Sequence, residues 1–131
     1  MAAITPATMV RNSYVTFSPT AFTSAGATLT FNQAVDDKFF IYVELNSTTS
    51  GDDAIFTISA GSTTVAWQRD LGSLAVTLTS TGTADYRALI GPLESARFMG
   101  STGAITITIT SSGSGIAGYI GVAKMPYVVP S

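Results

Sequence analysis

The stretch Ala-Ile-Thr-Ile-Thr-Ile-Thr at residues 104–110 decides the fold class of this chain, because apolar and hydroxyl side chains alternate along it without interruption. Successive side chains of a β-strand point to opposite faces of the sheet, so Ile105, Ile107 and Ile109 share one face and the intervening threonines share the other. The stretch therefore predicts a strand with one buried apolar face and one hydroxyl-lined face. Looser alternation of the same kind runs along most of the 131 residues, which include 20 threonines and 15 serines.

Outward from this strand, the chain divides into about ten short apolar or alternating segments separated by turn residues, without sustained helical periodicity. Phe39–Leu45 is nearly continuously apolar, which predicts a central strand buried on both faces. Gly91-Pro92 is a turn signal between two of the segments. We therefore predict an all-β single domain, a β-sandwich, jelly roll or barrel of about eight to ten short antiparallel strands. The strand candidates are Met9–Phe17, Ala27–Phe31, Phe39–Leu45, Ala54–Ala60, Thr63–Gln68, Leu74–Leu78, Ala84–Ile90, Leu93–Phe98, Ala104–Thr110 and Ala117–Met125.

The two ends of the chain differ from this pattern. Residues 1–12 lack alternation and contain Pro6, which predicts an extended N-terminal arm ahead of a β domain at residues 13–131. A disordered terminus is the alternative. Residues 125–131, Met-Pro-Tyr-Val-Val-Pro-Ser, contain two prolines and cannot donate fully to a central sheet. We expect them to form an extended tail or to touch a neighbouring chain.

Charge is scarce, since charged residues make up 11% of the chain against about 25% in an average globular domain. The net charge of −2 and the scattered basic residues argue against direct nucleic-acid binding, which needs a basic footprint on the phosphates. No apolar run approaches the roughly 20 residues of a membrane span. Low charge is typical of surfaces covered by partners, although a hydroxylated monomer surface is the alternative. The chain lacks cysteine and begins without the pattern of a secretory signal, so we expect folding in a reducing cytoplasm.

The side chains that most often perform chemistry are missing, since the chain has no histidine and no cysteine. Nucleophilic triads and most zinc sites need one or the other, so we expect no enzyme activity and no cofactor. The pairs Asp36-Asp37 and Asp52-Asp53 fall in predicted turns, and a loop calcium site that includes Asn46 is the alternative. The only tryptophan, Trp67, is interpreted as a core residue. A glycan platform or a protein interface would use exposed tyrosines, for which the candidates are Tyr42, Tyr86 and Tyr119.

The most distinctive segment is Leu-Ile-Gly-Pro-Leu-Glu-Ser-Ala-Arg-Phe at residues 89–98. Gly-Ala-Ile-Thr-Ile follows at residues 103–107, and Gly-Tyr-Ile-Gly-Val-Ala-Lys-Met-Pro follows at residues 118–126. This succession resembles small β-rich virion proteins of tailed bacteriophages, in which a Gly-Pro-(Leu/Phe)-Glu-(Ser/Thr)-Ala-Arg-(Phe/Tyr) strand precedes an Ile/Thr alternation and a terminal strand ending in Lys-(Leu/Met)-Pro. It is similar to capsid decoration (cement) proteins over about the last third of the chain.

The resemblance implies a structural protein without catalytic residues, which binds the assembled phage head as a homotrimer and braces the major capsid protein. It also implies synthesis in the host cytoplasm and a final place on the capsid surface of the virion. On a strand, Glu94 and Arg97 would face opposite sides because they lie three residues apart, so each would find a different partner. The candidate capsid or subunit contacts are Ile4, Pro6, Met9, Glu94, Arg97 and Tyr127.

Two functions from other classes stay open. The first alternative is a carbohydrate- or host-surface-binding module of a phage tail or head fibre. A calcium-dependent hydrolase domain ranks below it.

Overall fold

The computed structural model describes residues 2–10, 14, 16, 18–23, 26–32, 37–46, 51–61, 72–81, 86–100, 102–112 and 116–125. These residues form ten strands and one helical turn: β1 (Ala2–Ala3), β2 (Ala7–Thr8), β3 (Thr20–Thr23), β4 (Ala27–Asn32), β5 (Lys38–Leu45), β6 (Asp53–Ile58), β7 (Leu74–Thr79), β8 (Tyr86–Glu94), α1 (Ser95–Phe98), β9 (Ala104–Ser111) and β10 (Ala117–Met125).

The strands are arranged in two sheets, which we call sheet A and sheet B. Sheet A has the order β1-β4-β9-β6-β7, and sheet B has the order β2-β10-β5-β8, with β3 also paired to β10. All neighbours are antiparallel except two short pairs at the start of the chain, where β1 runs parallel to β4 and β2 runs parallel to β10. The strands β1 and β2, near the start of the chain, therefore extend sheet A and sheet B, respectively.

The core lies between the two sheets and is built from the inward-facing residues of every long strand. Aromatic rings join the layers: Phe22 meets Phe56 at 5.7 Å between ring centroids, and Phe39 meets both Phe31 at 5.2 Å and Phe98 at 6.2 Å. Burying one such large apolar side chain contributes about 1.5–3 kcal/mol. The largest fully buried side chains are Phe39, Phe56, Leu29, Ile41, Leu45, Ile58, Ile105, Ile107, Ile109, Ile116, Ile120 and Val43.

The predicted all-β class is confirmed, and the two layers form a sandwich rather than a closed barrel. The alternating stretch at residues 104–110 is also confirmed as the strand β9. Ile105, Ile107 and Ile109 are at most 1% exposed, whereas the threonines between them lie on the other face of sheet A. An apolar/hydroxyl period of two was therefore sufficient to assign both faces.

The prediction that Phe39–Leu45 is buried on both faces is wrong for one face. Burial alternates along β5: Phe39, Ile41, Val43 and Leu45 are 0% exposed, whereas the side chains between them are only half-buried. The outward residues Phe40, Tyr42 and Glu44 lie on the outer face of sheet B, which no third layer of described strands covers. A continuous apolar run does not by itself establish burial on both sides.

The predicted turn at Gly91-Pro92 is wrong, and the predicted strand at Leu93–Phe98 is confirmed only for its first two residues. Strand β8 continues through Gly91-Pro92, where the peptide bond is cis and Gly91 has a φ of 131°. The two residues form a β-bulge, because Leu93 pairs with Phe39 while Ile90 pairs with Ile41. The chain then enters the helical turn α1, where the Met99 N–H donates to the Ser95 carbonyl at 3.0 Å.

In the N-terminal strand candidate Met9–Phe17, the described residues 9, 10, 14 and 16 do not lie in a strand, and β2 ends at Thr8. The other residues of this candidate lie outside the described ones. The pairing found instead is that of β3 with β10, which the sequence did not predict. The bonds that define β3 go to residues about a hundred positions later, so no local pattern reveals them. Candidate Thr63–Gln68, with Trp67, lies outside the described residues.

Candidate functional site: the two outer faces of the sandwich

The outer face of sheet A carries a regular array of threonines, which we call the hydroxyl face. Strand register places Thr28, Thr108 and Thr57 side by side on β4, β9 and β6, and Thr30 lies beside Thr106 one row along. Neighbouring strands are about 4.8 Å apart and alternate residues about 6.7 Å apart, so the hydroxyls lie on a near-rectangular grid. The threonines of this face are Thr28, Thr30, Thr57, Thr77, Thr79, Thr106, Thr108 and Thr110.

The hydroxyl face is almost uncharged. Asp53 lies at its end, where it accepts a hydrogen bond from the Thr79 hydroxyl at 2.6 Å, and its main-chain N–H donates to the Ser112 hydroxyl at 2.9 Å. A shallow depression of about 390 Å³ opens at the β4–β9 end of sheet A. Each hydroxyl both donates and accepts, so the face can match a partner's polar groups in many orientations.

The outer face of sheet B is different in chemistry, and we call it the aromatic face, defined as Phe40, Tyr42, Leu89, Pro92 and Tyr119. Leu89 is 61% exposed and Tyr119 is 42% exposed, although both are large and mainly apolar. Leu89 lies beside Tyr42 on the neighbouring strand, and the Gly91-Pro92 bulge lies beside Phe40. Strand β8 therefore presents an exposed leucine next to two half-buried rings.

Ion pairs flank the aromatic face along β5 and β8, one at each end. At one end Arg87 Nε lies 3.6 Å from Glu44 Oε2, which also accepts a hydrogen bond from the Tyr42 hydroxyl at 3.3 Å. At the other end Lys38 Nζ lies 3.5 Å from Glu94 Oε1. Of the tyrosines predicted to be exposed, Tyr119 is exposed and Tyr42 is half-buried, whereas the exposure of Leu89 was not predicted. Leu89 alternates with Ala88 and Ile90 along β8, and this period of two places its side chain on the same face as that of Arg87.

The Arg97 side chain makes its contacts within the chain and connects α1, which follows a strand of sheet B, to sheet A. Its Nε donates to the Gly72 carbonyl at 3.0 Å and its terminal nitrogen donates to the Ser73 carbonyl at 3.3 Å, at the start of the sheet A strand β7. Its guanidinium also lies 4.9 Å from the Phe98 ring centroid. The main chain adds a bond from the Gly61 N–H to the Arg97 carbonyl at 2.8 Å. The helical turn α1 thus links the end of β8 to both ends of the β6–β7 connection.

The structure separates the predicted contact residues instead of bringing them together. Ile4 is 3% exposed and belongs to the core between the sheets. Pro6 and Met9 are half-buried, and the Met9 N–H donates to the Lys124 carbonyl at 2.9 Å. Glu94 is exposed beside the aromatic face, whereas Arg97 lies at the β6–β7 connection. Tyr127 lies outside the described residues.

The interpretation that Glu94 and Arg97 face opposite sides of one strand is wrong, because Arg97 lies in α1 and not in β8. The two residues do have different partners: Glu94 pairs with Lys38, and Arg97 bonds the carbonyls that begin β7. Neither partner is near in sequence, so spacing along the chain did not reveal them.

The described part of the chain contains no group of three or more acidic side chains close enough to hold a metal ion. Of the two aspartate pairs, Asp53 bonds within sheet A, and Asp36 lies outside the described residues. No helix among the described residues is long and apolar enough to cross a membrane. Comparisons with protein-family models, curated proteins and solved structures find no match to this chain.

Proposed function

We propose that this chain is a non-enzymatic structural protein of a tailed-phage particle, a capsid decoration protein whose hydroxyl face binds the assembled shell. The observation that carries the proposal is the grid of threonines on sheet A, centred on Thr108 with Thr28 and Thr57 beside it. The resemblance of residues 89–98 and 103–126 to small phage virion proteins supports the choice of particle.

The threonine grid suits contact with a large protein surface for two reasons. Its side chains are short and β-branched, so little rotamer freedom is lost when they are covered. The face is also nearly free of charge, so its desolvation costs less than that of a surface rich in lysine and glutamate. Each contact is weak, but many act together when the face meets a shell of repeated subunits.

The mechanism is stabilisation by selective binding. A protein that binds the assembled shell and not its dissociated subunits stabilises the shell by RT ln(1 + [L]/Kd), which is about 2.7 kcal/mol for each site at a hundredfold excess over Kd. The partner is the major capsid protein, and the chain acts on the capsid surface of the virion. The homotrimer implied by the resemblance is a prediction for copies assembled on the shell.

The test is to mix the purified chain with emptied, expanded heads of the phage that carries it. We expect the chain to co-sediment with the heads and to raise their melting temperature. Thr108→Arg places a long charged side chain at the centre of the grid and should abolish co-sedimentation. The matched control, Thr23→Arg at an exposed residue of β3 in sheet B, should bind as wild type. Co-sedimentation of Thr108→Arg at wild-type levels would overturn the hydroxyl face as the contact.

A second candidate function, a glycan-binding module of a tail or head fibre, is favoured by the aromatic face. Tyr42 and Tyr119 lie on neighbouring strands beside Arg87 and Glu44, which together offer ring surfaces and polar groups to a sugar. Retention on a glycan array that is lost in Tyr119→Ala, without any association with heads, would favour this candidate over the first.

A further inference from the structure

We propose that the aromatic face of sheet B pairs with the same face of a second copy of this chain, about a two-fold axis that runs across the strands β5 and β8. The proposal concerns the other side of the molecule from the hydroxyl face and does not depend on shell binding.

Leu89 on β8, the edge strand of sheet B, is 61% exposed and lies next to the half-buried rings of Tyr42 and Phe40. Most large apolar residues of this sandwich lie in its core, so an exposed leucine beside aromatic side chains is typical of a surface that becomes covered.

The aromatic face is complementary to itself. Register along β5 and β8 defines four rows: Arg87 with Glu44, Leu89 with Tyr42, the Gly91-Pro92 bulge with Phe40, and Glu94 with Lys38. A two-fold axis across the strands exchanges the first row with the fourth and the second row with the third. The first row is charged and so is the fourth, whereas the two middle rows are apolar.

The exchange brings unlike charges together in both charged pairs. Arg87 of one copy meets Glu94 of the other on β8, and Glu44 meets Lys38 on β5. In the middle rows Leu89 meets Pro92, and Tyr42 meets Phe40. No like charges are placed opposite each other, as a self-complementary two-fold contact requires.

The size of the face predicts a weak pair. Three strands at about 4.8 Å spacing and eight residues at about 3.3 Å rise cover on the order of 400 Å² for each copy. A standard specific interface covers about 800 Å² on each partner, so we expect dissociation in the micromolar to millimolar range. Copies held close together on one particle would pair far more often than copies free in solution.

The experiment is sedimentation equilibrium of the purified chain from micromolar to millimolar concentration. We expect a reversible monomer–dimer equilibrium. Leu89→Asp should raise the dimer dissociation constant at least about tenfold, because a charge would be buried against Pro92. The matched control Thr77→Asp puts the same charge on the exposed hydroxyl face and should pair as wild type. A strict monomer at the highest concentration, or a trimer, would overturn the proposal.

Charge exchange tests the axis itself. Arg87→Glu should weaken pairing, and the double variant Arg87→Glu with Glu94→Arg should restore it, although both ion pairs within the chain are then broken. The double variant Arg87→Glu with Glu44→Arg restores the ion pair within the chain but opposes like charges across the axis, so it should stay weak. The reverse order of these two double variants would contradict the proposed axis.

Wild-type and variant chains should give the same cooperative unfolding transition when diluted below the dimer range, which separates loss of pairing from loss of folding. Failure of dimerisation leaves shell binding by the hydroxyl face untouched, and failure of shell binding leaves the dimer untouched. The two proposals can therefore be rejected independently.

Discussion

The hydroxyl face and the aromatic face belong to sheets built in different ways. The strands of sheet A contain no glycine and no proline, and the pairing of β4, β9, β6 and β7 runs without a register shift. Sheet B contains Gly91, Pro92, Gly118 and Gly121 within its strands and has a bulge in the pairing of β5 with β8. One surface is a regular grid, mostly of threonines with Ile55 and Ala75 among them, and the other is a set of individually placed side chains.

The regularity of the backbone determines which kind of surface each sheet presents. Regular strands repeat one side-chain type at fixed spacings, which suits contact with a repeated partner. In sheet B the glycines make room for large neighbours: a Cβ on Gly91 would lie 3.2 Å from Cδ1 of Phe40. Irregular backbone thus allows rings and an exposed leucine to stand together on the aromatic face.

The largest loss of stability is expected at Gly118 in sheet B, where β5 leaves no room for a side chain on β10. A Cβ added at Gly118 of β10 would fall on the main-chain carbonyl oxygen of Glu44 in β5. A main-chain atom cannot rotate away as a side chain can, so Gly118→Ala should cost more than about 4 kcal/mol of unfolding free energy or abolish cooperative unfolding. Urea denaturation followed by circular dichroism measures this.

The matched control lies on sheet A, where Ala75 is exposed on β7. Ala75→Val also adds bulk to a strand, but into solvent, and should change stability by no more than about 0.5 kcal/mol. If Gly118→Ala unfolded at the wild-type urea concentration, β10 and β5 would have to lie further apart than the structure places them.

The next effect compares two adjacent residues of β9 that face opposite ways. Ile107 is 0% exposed, and Ile107→Thr removes one buried methyl group and replaces a buried methylene by a hydroxyl, which should cost about 2–3 kcal/mol. Thr108→Ile changes the hydroxyl face and should alter stability by no more than about 0.5 kcal/mol. Equal destabilisation by both variants would show that both sides of β9 are buried in the isolated chain. That result would contradict the assignment of an inner and an outer face to β9.

Sheet A was largely predictable from the sequence because its information is local. A period of two along Ala104–Thr110 assigns every side chain to a face, and the same holds for Leu74–Leu78. Nothing outside each strand is needed for that assignment. The hydroxyl face follows once these strands are placed side by side, although their order in the sheet is not contained in any one segment.

Sheet B was predicted less well because its irregular features depend on distant partners. Gly91-Pro92 has the composition of a turn, yet β5 pairs with β8 on both sides of it, so the strand continues through a bulge. The spacing of Arg97 in the sequence is that of a strand residue. Arg97 instead lies in the helical turn α1, where its side chain donates hydrogen bonds to the carbonyls of Gly72 and Ser73. Partners more than twenty residues away cannot be inferred from local alternation.

An intermediate effect on the unfolding free energy is expected in α1. Substitution of one residue of this turn should lower that free energy, whereas substitution of another should leave it unchanged or raise it. Arg97→Ala removes both hydrogen bonds to the start of β7 and should cost about 1–2 kcal/mol. Ser95 is 0% exposed, and its hydroxyl oxygen has no hydrogen-bond partner within the described part of the chain. Ser95→Ala should therefore leave stability unchanged or raise it by up to about 1 kcal/mol.

Thermal unfolding of the two variants measures the signs, and hydrogen exchange at the Gly61 amide measures the local effect of Arg97→Ala. That amide donates to the Arg97 carbonyl and should exchange faster when the side chain no longer holds the turn. Destabilisation by Ser95→Ala comparable to that by Arg97→Ala would indicate a hydrogen bond to the Ser95 hydroxyl from water or from a residue beyond the described ones.

The smallest effect is expected at the ion pair of Lys38 and Glu94, at one end of the aromatic face. Their side chains are 49% and 52% exposed, so water screens the attraction and salt weakens it further. A double-mutant cycle with Lys38→Met and Glu94→Gln should give a coupling energy below about 0.5 kcal/mol in dilute protein. The same charges meet Glu44 and Arg87 of a second copy if the aromatic faces pair. Lys38→Met and Glu94→Gln should therefore each lower stability more at high protein concentration than in dilute protein, whereas losses that do not change with concentration would confine these charges to one chain.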